Sequence, residues 1–328
     1  MVNAGCHPTI VPRLEDHLIL KSALGRPSFT LLASRAMEDQ KIDTEMLRQM
    51  KVSYASALKE FASSAATFRV LRSIPTNNPP NSCPTKTLYV LDSSFNPPSR
   101  MHMQIATSAL QYDQGAKPHR LLLLFATQNA DKAPKPASFE DRLVMMTLFA
   151  QALQDETGKS LKEWRPAVDI GMTKLPYYHD KAASIDESGV YEGQPQQVHL
   201  TGFDSIIRIF NTKYYPPDHT FAVLEPFLSK HRLRVTYRPD DEWGGREEQR
   251  KYVQEIADGK REKEGAKPEW ADRIQLVEGK AEGEEVVSST LARKAAKTDR
   301  KSLGKYVPRM VQDWIISEKL YLEGELNK

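Results

Sequence analysis

The sequence predicts an α/β protein: a doubly wound parallel sheet with an N-terminal helical extension in front of it. Three observations carry that expectation. Short apolar runs without period-two alternation recur between residues 87 and 277, as strands covered on both faces require. Segments of helical periodicity separate most of them, and alternating β and α elements specify a parallel sheet with right-handed crossovers. An apolar stripe at helical spacing and a proline-rich stretch precede the whole series.

In chain order, Leu47, Met50, Tyr54, Leu58, Phe61, Ala65 and Phe68 lie three or four residues apart. They place one stripe along a helix over 44–72, capped by Asp43 or Thr44, which docks on the main domain. Residues 75–84 then carry four prolines and three asparagines, the composition of a linker. The expected organisation is therefore an extension over 1–84 and a main domain over 85–328. Within the latter, 88–91 reads as a strand and 101–114 as a helix ended by Gly115. The four leucines of 120–126 read as a buried strand, and 138–153 as a long helix. Strands follow over 168–172, 198–201, 233–237 and 274–277. The mixed charges of 244–267 predict a solvated helix and an exposed loop.

Composition narrows the function classes. Of 328 residues 40% are hydrophobic, enough for a large core. The 46 Lys and Arg against 43 Asp and Glu leave a net charge of +3, too small for a nucleic-acid-binding surface. Cys6 and Cys83 stand far apart and predict neither a disulfide framework nor a metal cluster, which suits a reducing compartment, cytoplasmic or nuclear. No apolar run reaches the length of a membrane span. Arg13, Lys21, Arg26 and Arg35 leave an organelle-targeting segment open, against the plainer reading of a loosely docked N-terminus.

Ligands of a doubly wound sheet sit beyond the carboxyl ends of its strands, and three stretches fall there. In Asp92-Ser93-Ser94-Phe95-Asn96-Pro97-Pro98-Ser99-Arg100-Met101-His102 a strand breaks into a stiff turn and then a helix with a histidine in its first turn. Ser94, Asn96 and Ser99 offer hydrogen bonds beside that helix N-terminus. By itself the pattern also fits a turn with a surface histidine. Thr201-Gly202-Phe203-Asp204 ends a strand on a glycine and starts a helix with an acid, either an N-cap or a ribose contact. Val287-Ser288-Ser289-Thr290-Leu291-Ala292-Arg293 opens a helix with hydroxyl residues and sets an arginine one turn along, which suits a polyphosphate as well as a plain capped helix. Lys132 after the leucine strand and Arg142 early in the next helix are further cations within reach. His179 and the aromatics Trp164, Tyr177, Tyr178 and Trp243 are weaker candidates. Together the three stretches predict a site for nucleotide phosphate chemistry.

The segment 94–102 resembles the nucleotidyltransferase signature Gly-Ser-Phe-Asn-Pro with its following Thr/His-x-x-His. Residues 287–293 resemble the late Ile-Ser-Ser-Thr-x-x-Arg motif, and Gly202-x-Asp204 falls between them as it does in the nicotinamide mononucleotide adenylyltransferases. Residues 306–321 resemble that family's closing helix, and the extension and charged insert look like its fungal branch. The likeness spans roughly 85–325. It implies a Rossmann-like nucleotidyltransferase fold that joins ATP to nicotinamide or nicotinate mononucleotide, releasing pyrophosphate, with Mg²⁺ carried on the phosphates and no metal ligand from the protein. By the same resemblance His102 donates a hydrogen bond to the α-phosphate. Ser288, Ser289, Thr290 and Arg293 hold the triphosphate, and Ser94 and Phe95 supply amides. Asn96, Ser99, Lys132, Arg142, Gly202, Asp204 and Arg238 complete the nucleotide site. Ser93 stands where the family has glycine, and Ser99 where it has threonine or histidine. The alternatives are a transferase of the same fold with another acceptor or with CTP, an ATP-hydrolysing member, or a non-catalytic nucleotide-binding protein. Retention of His102 and Arg293 argues against the last.

Overall fold

A computed structural model describes residues 29–112, 114–127, 137–160, 166–238, 243–279 and 286–322. The chain divides into two units, Met1–Gln49 and Met50–Lys328, the division falling inside helix α1 (Phe29–Ser63). In the first unit an exposed Arg48–Glu45 pair spans 3.9 Å along the helix.

The second unit is built on one seven-stranded sheet. Its strands are β1 (Phe68–Ile74), β2 (Thr87–Asp92), β3 (His119–Ala126), β4 (Ala167–Thr173), β5 (Gln196–Gly202), β6 (Arg232–Thr236) and β7 (Ile274–Val277), in the spatial order β1-β4-β3-β2-β5-β6-β7. Every neighbouring pair is parallel except β1 with β4. The six parallel strands thus run outward in both directions from β2 and β5, as in a doubly wound sheet. The order reverses between those two strands, and the crevice at their carboxyl ends is where such folds bind ligands. Leu121, Leu122, Leu123 and Leu124 have no exposed surface, which accounts for the unbroken leucine run: both faces of β3 are covered.

The flanking helices are α2 (Arg100–Tyr112), α3 (Phe139–Ser160), α4 (Tyr178–Glu187), α5 (Phe203–Ile209), α6 (Glu225–Lys230), α7 (Arg246–Ala257), α8 (Ser289–Thr298) and α9 (Arg309–Ser317). The charged stretch 244–267 is anchored on one side by Gln249 and Ile256 of α7, both fully buried.

Two local expectations are corrected. The helix expected over 44–72 ends at Ser63, and Phe68–Ile74 is an edge strand of the sheet. The hydroxyls of Ser63 and Ser64 turn back onto the carbonyls of Glu60 and Phe61, a competition that weakens a helix end. Lys174, from beyond β4, then donates to the carbonyl of Ser64 at 2.6 Å and caps the terminus. What remains of the expected stripe does dock: Tyr54 and Phe61 are buried, and the Tyr54 hydroxyl lies 2.7 Å from that of Thr147 on α3. The proline-rich segment, in turn, is pinned and does not behave as a free linker. Arg120 binds Asp169 through two nitrogens at 2.9 and 2.7 Å and donates to the side chain of Asn78 at 3.0 Å. Ser73 and Tyr191 also donate to that buried carboxylate, so every charge there is paired.

Candidate active site

β2 delivers the chain to the crevice and the loop 93–99 folds across it. The Ser93 amide still donates to the carbonyl of Leu124 at 3.2 Å, prolonging the ladder one residue past the strand. Ser94 is exposed at the mouth. Phe95 is fully buried with φ +44°, a left-handed conformation that costs a non-glycine residue about 1–2 kcal/mol. Its ring packs 5.2 Å from that of His102.

Ser99 precedes α2 as its cap, and His102 is the third residue of the helix. The Ser99 amide donates to Nδ1 of His102 at 2.9 Å, and the Ser99 hydroxyl lies 3.0 Å from the same atom. This is the side-chain-to-cap half of a capping box, with imidazole in the place usually held by glutamate. Because an N–H group can only donate, Nδ1 carries the lone pair, and the ring proton belongs on Nε2. Burial pushes the pKa of His102 down to about 4, so the half-buried ring is neutral at physiological pH. Nε2 lies 2.9 Å from the hydroxyl of Ser93.

The other strand of the crevice contributes Gly202 and Asp204. Gly202 caps α5, and Oδ1 of Asp204 pairs with Arg238 at 2.8 Å. The Arg238 backbone is set by its amide, which donates to Gln249 at 3.1 Å.

The late helix closes the arrangement. Ser288 caps α8 by accepting from the amide of Leu291 at 3.2 Å. The Ser289 hydroxyl donates to the carbonyl of Pro97 at 2.8 Å, and Arg293 donates to the carbonyl of Asn96 at 2.7 Å and to the Thr290 hydroxyl at 3.1 Å. The positive end of the α8 dipole and a guanidinium are thereby set against the loop that leads into the helix of His102. Arg142 of α3 is buried between the rings of Phe125 and Phe139, and burial, aided by the nearby charge of Arg293, lowers its pKa. The guanidinium of Arg142 thus lies near enough to that of Arg293 to feel its charge, and an anion placed beside the two would be stabilised by both.

The structure thus brings together Ser94, Phe95, Asn96, Ser99, His102, Arg142, Ser288, Ser289, Thr290 and Arg293, with Gly202, Asp204 and Arg238 at and just beyond the carboxyl ends of β5 and β6. Lys132 lies outside the described residues, as do Trp164 and Cys6. Three assignments change in character. Asn96 is buried, and its side chain accepts from the hydroxyl of Tyr321 at 2.8 Å, so it joins segments of the chain together. Ser99 orients His102 from a buried position. The first amide of α2, that of Arg100, donates to the carbonyl of Tyr306 at 2.8 Å, so this helix terminus is partly occupied by the chain itself. His179 stacks on Tyr177 in the first turn of α4, where burial lowers its pKa.

Sequence reasoning missed one feature of the crevice. Lys181 forms a buried ion pair with Asp92, the last residue of β2, their side chains 5% and 10% exposed. Their 89-residue separation left no local signal. Among the described residues, no group of three or more His, Cys, Asp or Glu side chains could hold a metal ion. The two carboxylates of the crevice, Asp92 and Asp204, are already paired with cations. The donors at the loop and α8 are hydroxyls and guanidinium groups, which fit a metal arriving on phosphates. Among the described residues no helix is long and apolar enough to cross a membrane.

The chain is 31% identical over 263 residues to the protein of Schizosaccharomyces pombe named "Putative nicotinamide mononucleotide adenylyltransferase", an alignment covering 79% of this chain and 92% of that protein. Two solved structures of Plasmodium falciparum nicotinic acid mononucleotide adenylyltransferase, complexed with NaAD and with APC, align over 72% of this chain and 97% of theirs. Both have a TM-score of 0.46, at 16% and 15% identity. No family model matches the sequence.

Proposed function

The chain belongs to the nicotinamide mononucleotide adenylyltransferases, a family of nucleotidyltransferases, and on that premise we propose that it joins ATP to nicotinamide or nicotinate mononucleotide, giving the corresponding dinucleotide and pyrophosphate. A phosphate oxygen of the mononucleotide forms a new bond to the α-phosphorus of ATP. The bond from that phosphorus to the bridging oxygen breaks, and pyrophosphate leaves with the electron pair. Mg²⁺ enters with ATP as part of the substrate and neutralises phosphate charge.

Such a reaction asks the protein for positioning and charge stabilisation more than for covalent chemistry. Arg293, Arg142, the hydroxyls of Ser288, Ser289 and Thr290 and the α8 terminus hold the triphosphate. Ser94 and Phe95 line the loop side. Neutral His102, with its proton on Nε2, is the source of the hydrogen-bond donation that answers charge building on the α-phosphate. Asp204 and Arg238 face the nucleoside, with Gly202 leaving room for them, and Lys132 is a further phosphate contact. The observation that carries this reading is the 2.7 Å bond from Arg293 to the carbonyl of Asn96, which sets the late helix on the loop that precedes the helix of His102.

Incubation with Mg·ATP and each mononucleotide, followed by chromatography and a pyrophosphate assay, should show equimolar dinucleotide and pyrophosphate. ATP binding without either product for any acceptor would refute the enzyme reading, and pyrophosphate without dinucleotide would point to hydrolysis. His102→Ala should lower kcat about 100-fold with little change in ATP affinity.

A further inference from the structure

Ser93 occupies the position where the family resemblance expects glycine, and its side chain meets the imidazole of His102. Its backbone is fixed by the bond to Leu124, so its hydroxyl is held within 2.9 Å of Nε2 of His102. Nδ1 is bound to the Ser99 amide, which leaves Nε2–H as the donor and the Ser93 oxygen as its acceptor. A hydroxyl that accepts one hydrogen bond keeps its own proton to donate, and accepting from a neighbour polarises it toward doing so. Ser93 is half-buried between Asp92 and the exposed Ser94, at the mouth of the crevice. A phosphate that met Nε2–H directly would first have to displace this hydroxyl.

We propose that Ser93 is a catalytic residue of this chain: its hydroxyl takes the Nε2–H of His102 and presents its own O–H to the α-phosphate, so that His102 acts through it as a positioning residue. The proposal rests on the adenylyl-transfer reading given above. No proton changes owner in the step. The imidazole stays neutral throughout, both hydrogen bonds tighten as charge accumulates on the phosphate oxygen, and both relax when pyrophosphate has left.

The test is a double-mutant cycle with a spectroscopic companion. Ser93→Ala, Ser93→Thr, Ser93→Gly, His102→Ala and the Ser93→Ala/His102→Ala pair are assayed for kcat and KM with Mg·ATP and the accepted mononucleotide. Loss of the hydroxyl should lower kcat about 100-fold at nearly constant KM for ATP, threonine should restore most of it, and the double variant should be no slower than His102→Ala. Wild-type kcat in Ser93→Ala or Ser93→Gly overturns the proposal, as do losses that multiply in the double variant. Imidazole ¹⁵N spectra of the free protein read the tautomer without turnover. They should show Nε2 protonated and its resonance shifted by Ser93→Ala while Nδ1 stays put, and an unprotonated Nε2 overturns the chain of bonds whatever the activity. A wild-type protein inactive toward every mononucleotide overturns the reaction itself, whereas an active wild type with unaffected Ser93 variants overturns only the role of Ser93.

Discussion

Replacing Gly202 with alanine separates the nucleoside side of the crevice from the stability of the sheet. The backbone there, φ −92° and ψ 166°, is extended and open to any residue, so glycine is not needed for its torsions. Space is the constraint. An added Cβ would lie 2.6 Å from Oδ1 of Asp204, well inside the roughly 3.5 Å at which non-bonded heavy atoms attract one another, and 3.4 Å from Cδ of Arg238. The carboxylate must swing away, and its 2.8 Å bond to Arg238 breaks. That pair is 25% and 43% exposed, so its loss costs folding less than about 1 kcal/mol. A charged hydrogen bond accepted by Asp204 from a ribose hydroxyl, the contact proposed above, contributes about 1.5–3 kcal/mol. Gly202→Ala should therefore weaken nucleotide binding about 10- to 150-fold while moving Tm by only a few degrees. Calorimetric titration of Mg·ATP and of the mononucleotide, with thermal melts alongside and Asp204→Asn as reference, measures both effects. Unchanged affinity for both nucleotides, or a melt that collapses, would refute the reasoning.

Other consequences are equally direct. Arg293→Lys keeps the charge but cannot span both the Asn96 carbonyl and Thr290; kcat/KM for ATP should fall at least about tenfold, and full activity with lysine would remove the forked contact from the account. Lys181→Met leaves the carboxylate of Asp92 buried without its partner and should destabilise by about 3–5 kcal/mol in urea titrations, with much of that recovered in Asp92→Asn/Lys181→Met. Because the folded-state pKa of His102 is depressed to about 4, the unfolded chain takes up the proton first as pH falls below about 6.5. This group's contribution to stability should therefore decline between pH 6.5 and 4, by at most about 3 kcal/mol, and level off below that. His102→Gln should flatten that part of the profile, and an unchanged slope would assign it to other groups.

The parts of the fold legible in the sequence are those whose cause is local. Four leucines in a row within a short run read as a strand covered on both faces, and Gly202-x-Asp204 reads as a corner because glycine and acid act on their immediate neighbours. The hydroxyl cap of α8 was visible for the same reason. Phe68–Ile74 was misread because Phe61, Ala65 and Phe68 continue a helical spacing, while the cap that ends the helix comes from Lys174, 110 residues from Ser64. Ser93 and Ser99 stood out as departures from a motif, but only the folded chain shows both on the two nitrogens of one imidazole. The Lys181–Asp92 pair had no local trace at all.

Asn96 sits where three remote bonds meet: Ser289 to its neighbour Pro97, Arg293 to its carbonyl and Tyr321 to its side chain, at sequence separations of 192, 197 and 225 residues. During synthesis the loop therefore leaves the ribosome long before anything that braces it. These braces on the loop cannot all form until Tyr321, 225 residues after Asn96, has emerged. The same geometry predicts that the segment around Tyr321 reports occupancy: a nucleotide held as proposed between the loop and α8 should stabilise the docked state and shield residues near Tyr321 from proteolysis.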